Sequence, residues 1–182
     1  GMKHDIGFVI HDTGGDDTVD FSGSTAGTIL DLRAGQFSSV NGHSNNVSIF
    51  AGHNADQTEY YVENGIGSRH ADILIGNDGA NVLDGRGGGD RMAGNGGNDI
   101  YFVDSADDLV REEADGGDDT IIVLAEGLDL REVANVENII YSGGTTEGPG
   151  YDAEGDTDDV VNNAQAEIYR VTEKHTTEDY VI

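Results

Sequence analysis

The chain has 182 residues, with 36 acidic side chains against nine basic ones, a formal net charge of −27, no Cys and no Trp. That balance argues against a nucleic-acid partner, since phosphates would find few cations; the lack of thiols rules out a disulfide framework, and no apolar run approaches the roughly 18 residues of a membrane-crossing helix. Only 36% of the residues are apolar, so a large conventional core is not expected and self-repulsion would oppose compaction of a metal-free chain.

Residues 1–66 read as N-terminal strands that cap the glycine-rich middle of the chain. Met2 reads as an initiator behind a cleavage scar, with no basic-then-apolar signal peptide after it. TVDFSG, TILDLRAG and NVSIF alternate apolar and polar residues between turns of Gly, Asn and Ser, the pattern of short half-buried strands. The HDTGGDD stretch ahead of them leaves two readings open, a solvated β-turn or a set of ligands.

Residues 67–102 fall into four blocks of nine: GSRHADILI, GNDGANVLD, GRGGGDRMA and GNGGNDIYF. Place one is Gly67, Gly76, Gly85 and Gly94; place four is His70, Gly79, Gly88 and Gly97; place six is Asp72, Asn81, Asp90 and Asp99; place eight is Leu74, Leu83, Met92 and Tyr101. Glycines at places one, three and four admit left-handed backbone and leave carbonyl oxygens uncovered, so the first six places form a turn. The last three are apolar, β-branched or aromatic, which suits a three-residue strand with place eight inward. Two blocks complete a coil, so residues eighteen apart stack: Asp72 over Asp90, Asn81 over Asp99, and Asp90 over Asp108, with Val110 at the next inward place. VDSADDLVR thus extends the period without glycine, and the repeat region runs over 67–111. A flexible Gly/Asp-rich linker would not keep an inward apolar residue in register. Stacked carboxylates repel one another unless a cation lies between them, and Ca2+ suits a set of carbonyls and carboxylates, while no Cys is present for a soft metal.

These blocks resemble the RTX nonapeptide GGxGxDxUx, whose turns stack into a calcium-loaded parallel β-roll. The resemblance implies ions held by the carbonyls of places two and four and the acid of one block, together with carbonyls one and three and the acid two blocks on. The first site would join Ser68, His70 and Asp72 to Gly85, Gly87 and Asp90; the second, Asn77, Gly79 and Asn81 to Gly94, Gly96 and Asp99; the third, Arg86, Gly88 and Asp90 to Val103, Ser105 and Asp108. His70, Asn81 and the glycine-free partner of the third site depart from the pattern. IHDTGGDDTVDFSG, NVSIFAGH and YYVENGIGSRHADILIGN resemble the start of the C-terminal domain of serralysin-type metalloproteases. This second resemblance implies a site from the Gly15 carbonyl, Asp17, the Tyr61 carbonyl and Glu63, with Asp12 and Gly14 in a neighbouring one.

In residues 112–144, GGDDT returns at 116–120 and VEN at 136–138, an echo of 14–18 and 62–64. The module is similar to flanking units of RTX proteins, which implies the Gly117 carbonyl, Asp119, the Asn135 carbonyl and Glu137 as ligands. Ala114 stands where Asp12 would be; Asp104, Glu112 and Glu113 either serve nearby or are solvated. Pro149 marks a break, and residues 145–182 form an acidic tail in which VVNNAQAEIYRVTE fits a short helix or two strands. The terminal EDYVI resembles the uncleaved C-terminal signals of RTX proteins exported by type I secretion.

The expected fold is all-β: a parallel β-roll of calcium-binding nonapeptide turns flanked by short strands in a sandwich-like arrangement. Catalysis is not expected, since His4, His11, His43, His53, His70 and His175 form no HExxH pair, and neither GxSxG nor a phosphate loop occurs. The favoured function is a secreted, extracellular, non-catalytic protein that folds on binding several Ca2+. One alternative is a calcium-dependent module for an extracellular polysaccharide, with Tyr60, Tyr61, Arg69, Arg86 and Arg91 as candidate contacts. Another is a structural fragment of a larger secreted RTX enzyme, with an open surface near its N-terminal strand.

Overall fold

The computed structural model describes residues 7–50, 61–125, 128, 130, 133–141 and 180–181. Tyr60 and most of the 145–182 tail, including the helix-or-strands segment, lie outside them. The described residues hold no helix. Their strands are β1 (Phe8–His11), β2 (Thr18–Asp20), β3 (Ile29–Asp31), β4 (Phe37–Ser38), β5 (Val47–Phe50), β6 (Asn64–Ile66), β7 (Ile73–Ile75), β8 (Val82–Asp84), β9 (Arg91–Ala93), β10 (Ile100–Val103), β11 (Leu109–Val110), β12 (Thr120–Val123), β13 (Asn138–Tyr141) and β14 (Tyr180–Val181).

Each nine-residue block ends in one short strand, and successive strands alternate between two parallel sheets, which makes the molecule a parallel β-roll. One sheet runs β13-β12-β10-β8-β6-β2-β14 and the other β11-β9-β7-β3. The eighteen-residue coil is visible in the register, with Asn64 beside Val82 beside Ile100 in the first sheet and Ile73 beside Arg91 beside Leu109 in the second. After β10 the step lengthens from eighteen to twenty, because Ile100 pairs with Thr120. The N-terminal strands continue the roll: β2 pairs with β6 and β3 with β7, both parallel.

A strand alternates its side chains between faces, so each contributes one central residue to the space between the sheets. Leu74, Leu83 and Tyr101 are 0% exposed and Met92 is 1% exposed; Val19, Leu30 and Ile121 extend this inward row. Burying each such side chain is worth roughly 1.5–3 kcal/mol. Tyr101 brings a polar end into this core, and its hydroxyl accepts the Gly94 N–H at 2.7 Å. The third sheet, β1-β5-β4, turns an apolar face to solvent. Val9 and Phe37 flank Ser48 in register, and Phe50 stands two residues along β5 from Ser48 on that face; Val9, Phe37 and Phe50 are all exposed.

The inward row should dominate stability. In calcium-containing buffer, Leu74→Ala is expected to lower the unfolding free energy by roughly 2–5 kcal/mol, and Ile73→Ala, whose side chain faces out, by less than about 1 kcal/mol. Urea denaturation of the two variants checks this, and equal losses would contradict the inward assignment.

Candidate metal centre

The turns between the strands stack with the same period as the strands, and the sixth-place side chain is what joins them. Asp90 Oδ1 accepts the Asp72 N–H at 2.8 Å, and Asp108 Oδ1 accepts the Asp90 N–H at 2.9 Å. On the opposite edge of the roll, Asp99 Oδ1 accepts the Asn81 N–H at 2.7 Å, Asp119 Oδ1 the Asp99 N–H at 2.9 Å, and Glu137 Oε2 the Asp119 N–H at 2.8 Å. Each acid therefore reaches back one coil and ties down the N–H of the acid or amide before it. Two ladders result, one per edge.

The glycines have two separate reasons. Those of place one are needed for space: a Cβ on Gly85 would strike the Asp90 carboxylate, one on Gly94 the Asp99 carboxylate, and one on Gly76 the Asn81 carboxamide. At place four Gly88 and Gly97 are left-handed, at φ 143° and φ 102°, and pack on the coil before them, Gly88 over the His70 carbonyl and Gly97 over that of Gly79. The other left-handed residues of the repeats are Arg86 and Asn95 at place two, which the sequence pattern does not mark. Left-handed backbone therefore falls at places two and four of the third and fourth blocks, and place one is glycine because the acid folds over it.

One oxygen per acid is used by the ladder, and the other is in several cases left over. Among the described residues, Asp12 Oδ2, Asp90 Oδ2, Asp99 Oδ2, Asp119 Oδ2 and Glu112 Oε1 are buried without a hydrogen-bond partner. Three converge: Asp99, Glu112 and Asp119 offer carboxylate oxygens all within 4.8 Å of one another. Buried carboxylate oxygens facing each other without donors demand either protons or a cation. A hard divalent ion such as Ca2+ fits this all-oxygen donor set. Burial is the first cause that pushes Asp99 and Glu112 up to about 7, and neighbouring carboxylates, Asp119 foremost, add to it. Glu63 and Asp90 are likewise pushed up to about 7, again by burial first.

Sequence leaves Glu112 between ligand and solvated surface, and its junction with Asp99 was not foreseen. The two-residue lengthening after β10 hides it, since the next acid on this edge is Asp119, twenty residues beyond Asp99. Glu112 is buried and its neighbour Glu113 exposed. Thr28 was also missed: its N–H and hydroxyl donate to Asp72 Oδ1 at 2.5 and 2.9 Å. Its position just before the strand ILD, like place six before each repeat strand, was the available signal.

The other expected ligands are placed around these ladders. At the first site, Asp72 and Asp90 stack, but Asp72 Oδ2 already accepts the Ser68 N–H at 2.5 Å, and the His70 carbonyl lies under Gly88. At the second, Asn77 and Asn81 are buried, the Asn77 carbonyl accepts the Gly96 N–H at 3.3 Å, and Gly79 carries the ring of Tyr61 against it. At the third, Asp108 Oδ2 accepts the N–H groups of Asp104 and Ser105 at 3.1 and 3.0 Å, with Val103 buried in β10 and Arg86 and Gly88 one coil away. Gly87 stands 3.9 Å, measured from a Cβ position, from the Arg69 carbonyl.

The GGDDT and VEN echo is also an echo in space. Glu63 Oε2 accepts the Asp17 N–H at 2.8 Å just as Glu137 Oε2 accepts that of Asp119. Asn64 Nδ2 donates to Asp16 Oδ1 and Asn138 Nδ2 to Asp118 Oδ1, both at 3.0 Å. The left-handed Gly14 and Gly15 precede the first clasp, where Asp12 Oδ1 accepts the Gly14 N–H at 2.7 Å. In the second, a Cβ on Gly117 would strike the Gly97 carbonyl, and Asn135, left-handed at φ 60°, donates from its side chain to the Glu112 carbonyl at 3.1 Å.

The raised carboxyls give a signed pH dependence. A group that holds its proton to about pH 7 in the fold but ionises near 4 in the unfolded chain stabilises the ion-free fold fully below about pH 4, and this is lost as pH rises through 7. The strand content of chelator-treated protein by circular dichroism should therefore be higher at about pH 5 than at about pH 8. With saturating Ca2+, which needs the ionised carboxylates, the trend should reverse; the same pH trend in both buffers would contradict it.

Comparison with known proteins places this geometry. Residues 2–182 match the family Peptidase M10 serralysin C terminal. A 70-residue stretch, 38% of this chain, is 44% identical to a serralysin of Proteus mirabilis, 45% identical to a serralysin of Photorhabdus luminescens and 41% identical to serralysin G of Dickeya chrysanthemi. In each case the match spans 13% of the relative's length. With the family matched over nearly its whole length, this chain belongs to the serralysin C-terminal family.

Proposed function

We propose that this chain is a calcium-binding RTX β-roll that folds as several Ca2+ bind, acts without catalysis, and does so outside the cell after type I secretion. The observation that carries the reading is the Asp99–Glu112–Asp119 group, three buried carboxylates within 4.8 Å whose spare oxygens have no donor. Asp90 and Asp12 add two more such oxygens, and the family match supports the RTX and secreted character. An ion that binds only the folded chain adds RT ln(1+[L]/Kd) per site, about 2.7 kcal/mol at a hundredfold excess over Kd. Dissociation constants of roughly 10⁻⁴–10⁻³ M, the range of extracellular calcium modules, would leave the chain ion-poor inside a cell and loaded outside it.

A second reading, a structural part of a longer secreted enzyme, rests on its own observations. The relatives are far longer than the stretch they share with this chain, and Val9, Phe37 and Phe50 expose one apolar face beside β1. Unchanged hydrogen exchange across β1, β4 and β5 when the remainder of such an enzyme is joined would sink it. The polysaccharide reading gains no such support: Arg91 lies on the outer face of its sheet between Ile73 and Leu109, while Arg69 and Arg86 sit in turns.

Two measurements test the main proposal. Calcium added to chelator-stripped protein should produce a coil-to-strand transition in far-UV circular dichroism at submillimolar to millimolar concentration, and magnesium should not; a stripped chain already folded and indifferent to calcium would overturn it. Glu112→Gln should reduce the bound ions by one, counted by equilibrium dialysis, while Glu113→Gln leaves the count unchanged.

A further inference from the structure

The rung between residues 61–63 and 77–81 is built differently from its neighbours. Four carbonyl-type oxygens converge there, those of Leu32, Val62, Glu63 and the Asn77 side chain, and two buried carboxamides fill the space among them. Asn77 Nδ2 donates to the Val62 carbonyl at 2.9 Å and lies 3.5 Å from that of Leu32. Asn81 Nδ2 donates to the Glu63 carbonyl at 3.1 Å, to Asn77 Oδ1 at 3.3 Å and to the Val62 carbonyl at 3.4 Å. Both amides are locked in this orientation, because Asn81 Oδ1 accepts the Asn77 N–H at 2.7 Å and Asn77 Oδ1 accepts the Gly79 N–H at 2.9 Å. Asn77 and Asn81 are 3% and 1% exposed.

We infer that Asn81, with Asn77, closes this rung without an ion: their NH2 groups stand where a cation would otherwise bind the Val62 and Glu63 carbonyls, so the amide at place six decides which rungs of the roll take Ca2+. The inference rests on the calcium reading. The contrast with Asp90 and Asp99 carries it, since each keeps a buried oxygen without a donor, whereas every polar atom of the Asn81 carboxamide is matched by a partner; Asp72, at the same place, is matched instead by donors from Ser68 and Thr28. A carboxylate at this place would aim an anion at the Val62 and Glu63 carbonyls, an arrangement that a proton or a cation must relieve, and saturating Ca2+ supplies the cation. The rung thus needs no ion of its own, and coils that need Ca2+ can stack on it.

The test is Asn81→Asp in the full chain. Equilibrium dialysis against Ca2+ should show one more bound ion per chain than the unchanged protein, and the calcium midpoint of folding should move to higher concentration, because a rung that closed itself now needs an ion. An unchanged ion count in a folded variant would overturn the inference. Should the variant not fold, the unchanged protein still decides: in calcium-loaded protein the Asn77 and Asn81 side-chain NH2 protons should exchange slowly by NMR, and rapid exchange would overturn it. Absence of any calcium binding by the unchanged protein would instead remove the calcium reading itself, whatever the amide protons do.

Discussion

Anions stacked one coil apart are the constraint on which the rest of this structure depends. Neighbouring strands lie about 4.8 Å apart, and two unit charges at that spacing repel by about 3 kcal/mol at an effective dielectric of 20. A backbone N–H donated to a carboxylate returns about 1.5–3 kcal/mol. The ladder of Asp72, Asp90 and Asp108 thus offsets the repulsion only in part, and burial of Asp90 and Asp99 tips the remainder against ionisation. Protons, a cation or an amide must supply the difference. The chain uses amides at Asn77 and Asn81, a hydroxyl at Thr28 and backbone N–H groups at Asp108; Asp90, Asp99 and Asp119 each leave an oxygen open.

Much of the fold was legible because the repeat obeys two periods together. Leu74, Leu83, Met92 and Tyr101 could be placed inward from their spacing alone, and the structure buries them almost completely. The stacking of turns was implied by residues eighteen apart, and the parallel roll by the resemblance to RTX nonapeptides. Side-chain destinations were harder to read. Glu112 reaches Asp99 and Asp119 through a turn two residues longer than the repeat, and a period cannot reveal where its own interruption sends a side chain. Asn81 reads as a ligand that departs from the pattern, since sequence shows an Asn in an Asp position without showing which way its amide faces. That direction is set by the Asn77 and Gly79 N–H groups.

The glycines carry a similar lesson. Their spacing was evident, but their purpose was divided by geometry: Gly88 and Gly97 for backbone angle, Gly76, Gly85 and Gly94 for room beneath a folded-back side chain. Arg86 and Asn95 adopt left-handed angles without being glycine, a modest strain held in place by the stacked coils on either side.

The two clasps, at Asp17 with Glu63 and at Asp119 with Glu137, have matching geometry although 46 residues separate the paired strand residues of the first, Thr18 and Asn64, and eighteen those of the second, Thr120 and Asn138. The longer interval holds β3, β4 and β5. Because each coil of such a stack touches only its neighbours and lengthening a loop adds little closure entropy, the clasp is indifferent to what is threaded between its halves. It works as a graft point: new surface can be inserted between the clasped strands while the register on either side is kept, so a roll of this kind can acquire binding loops without relearning how to fold.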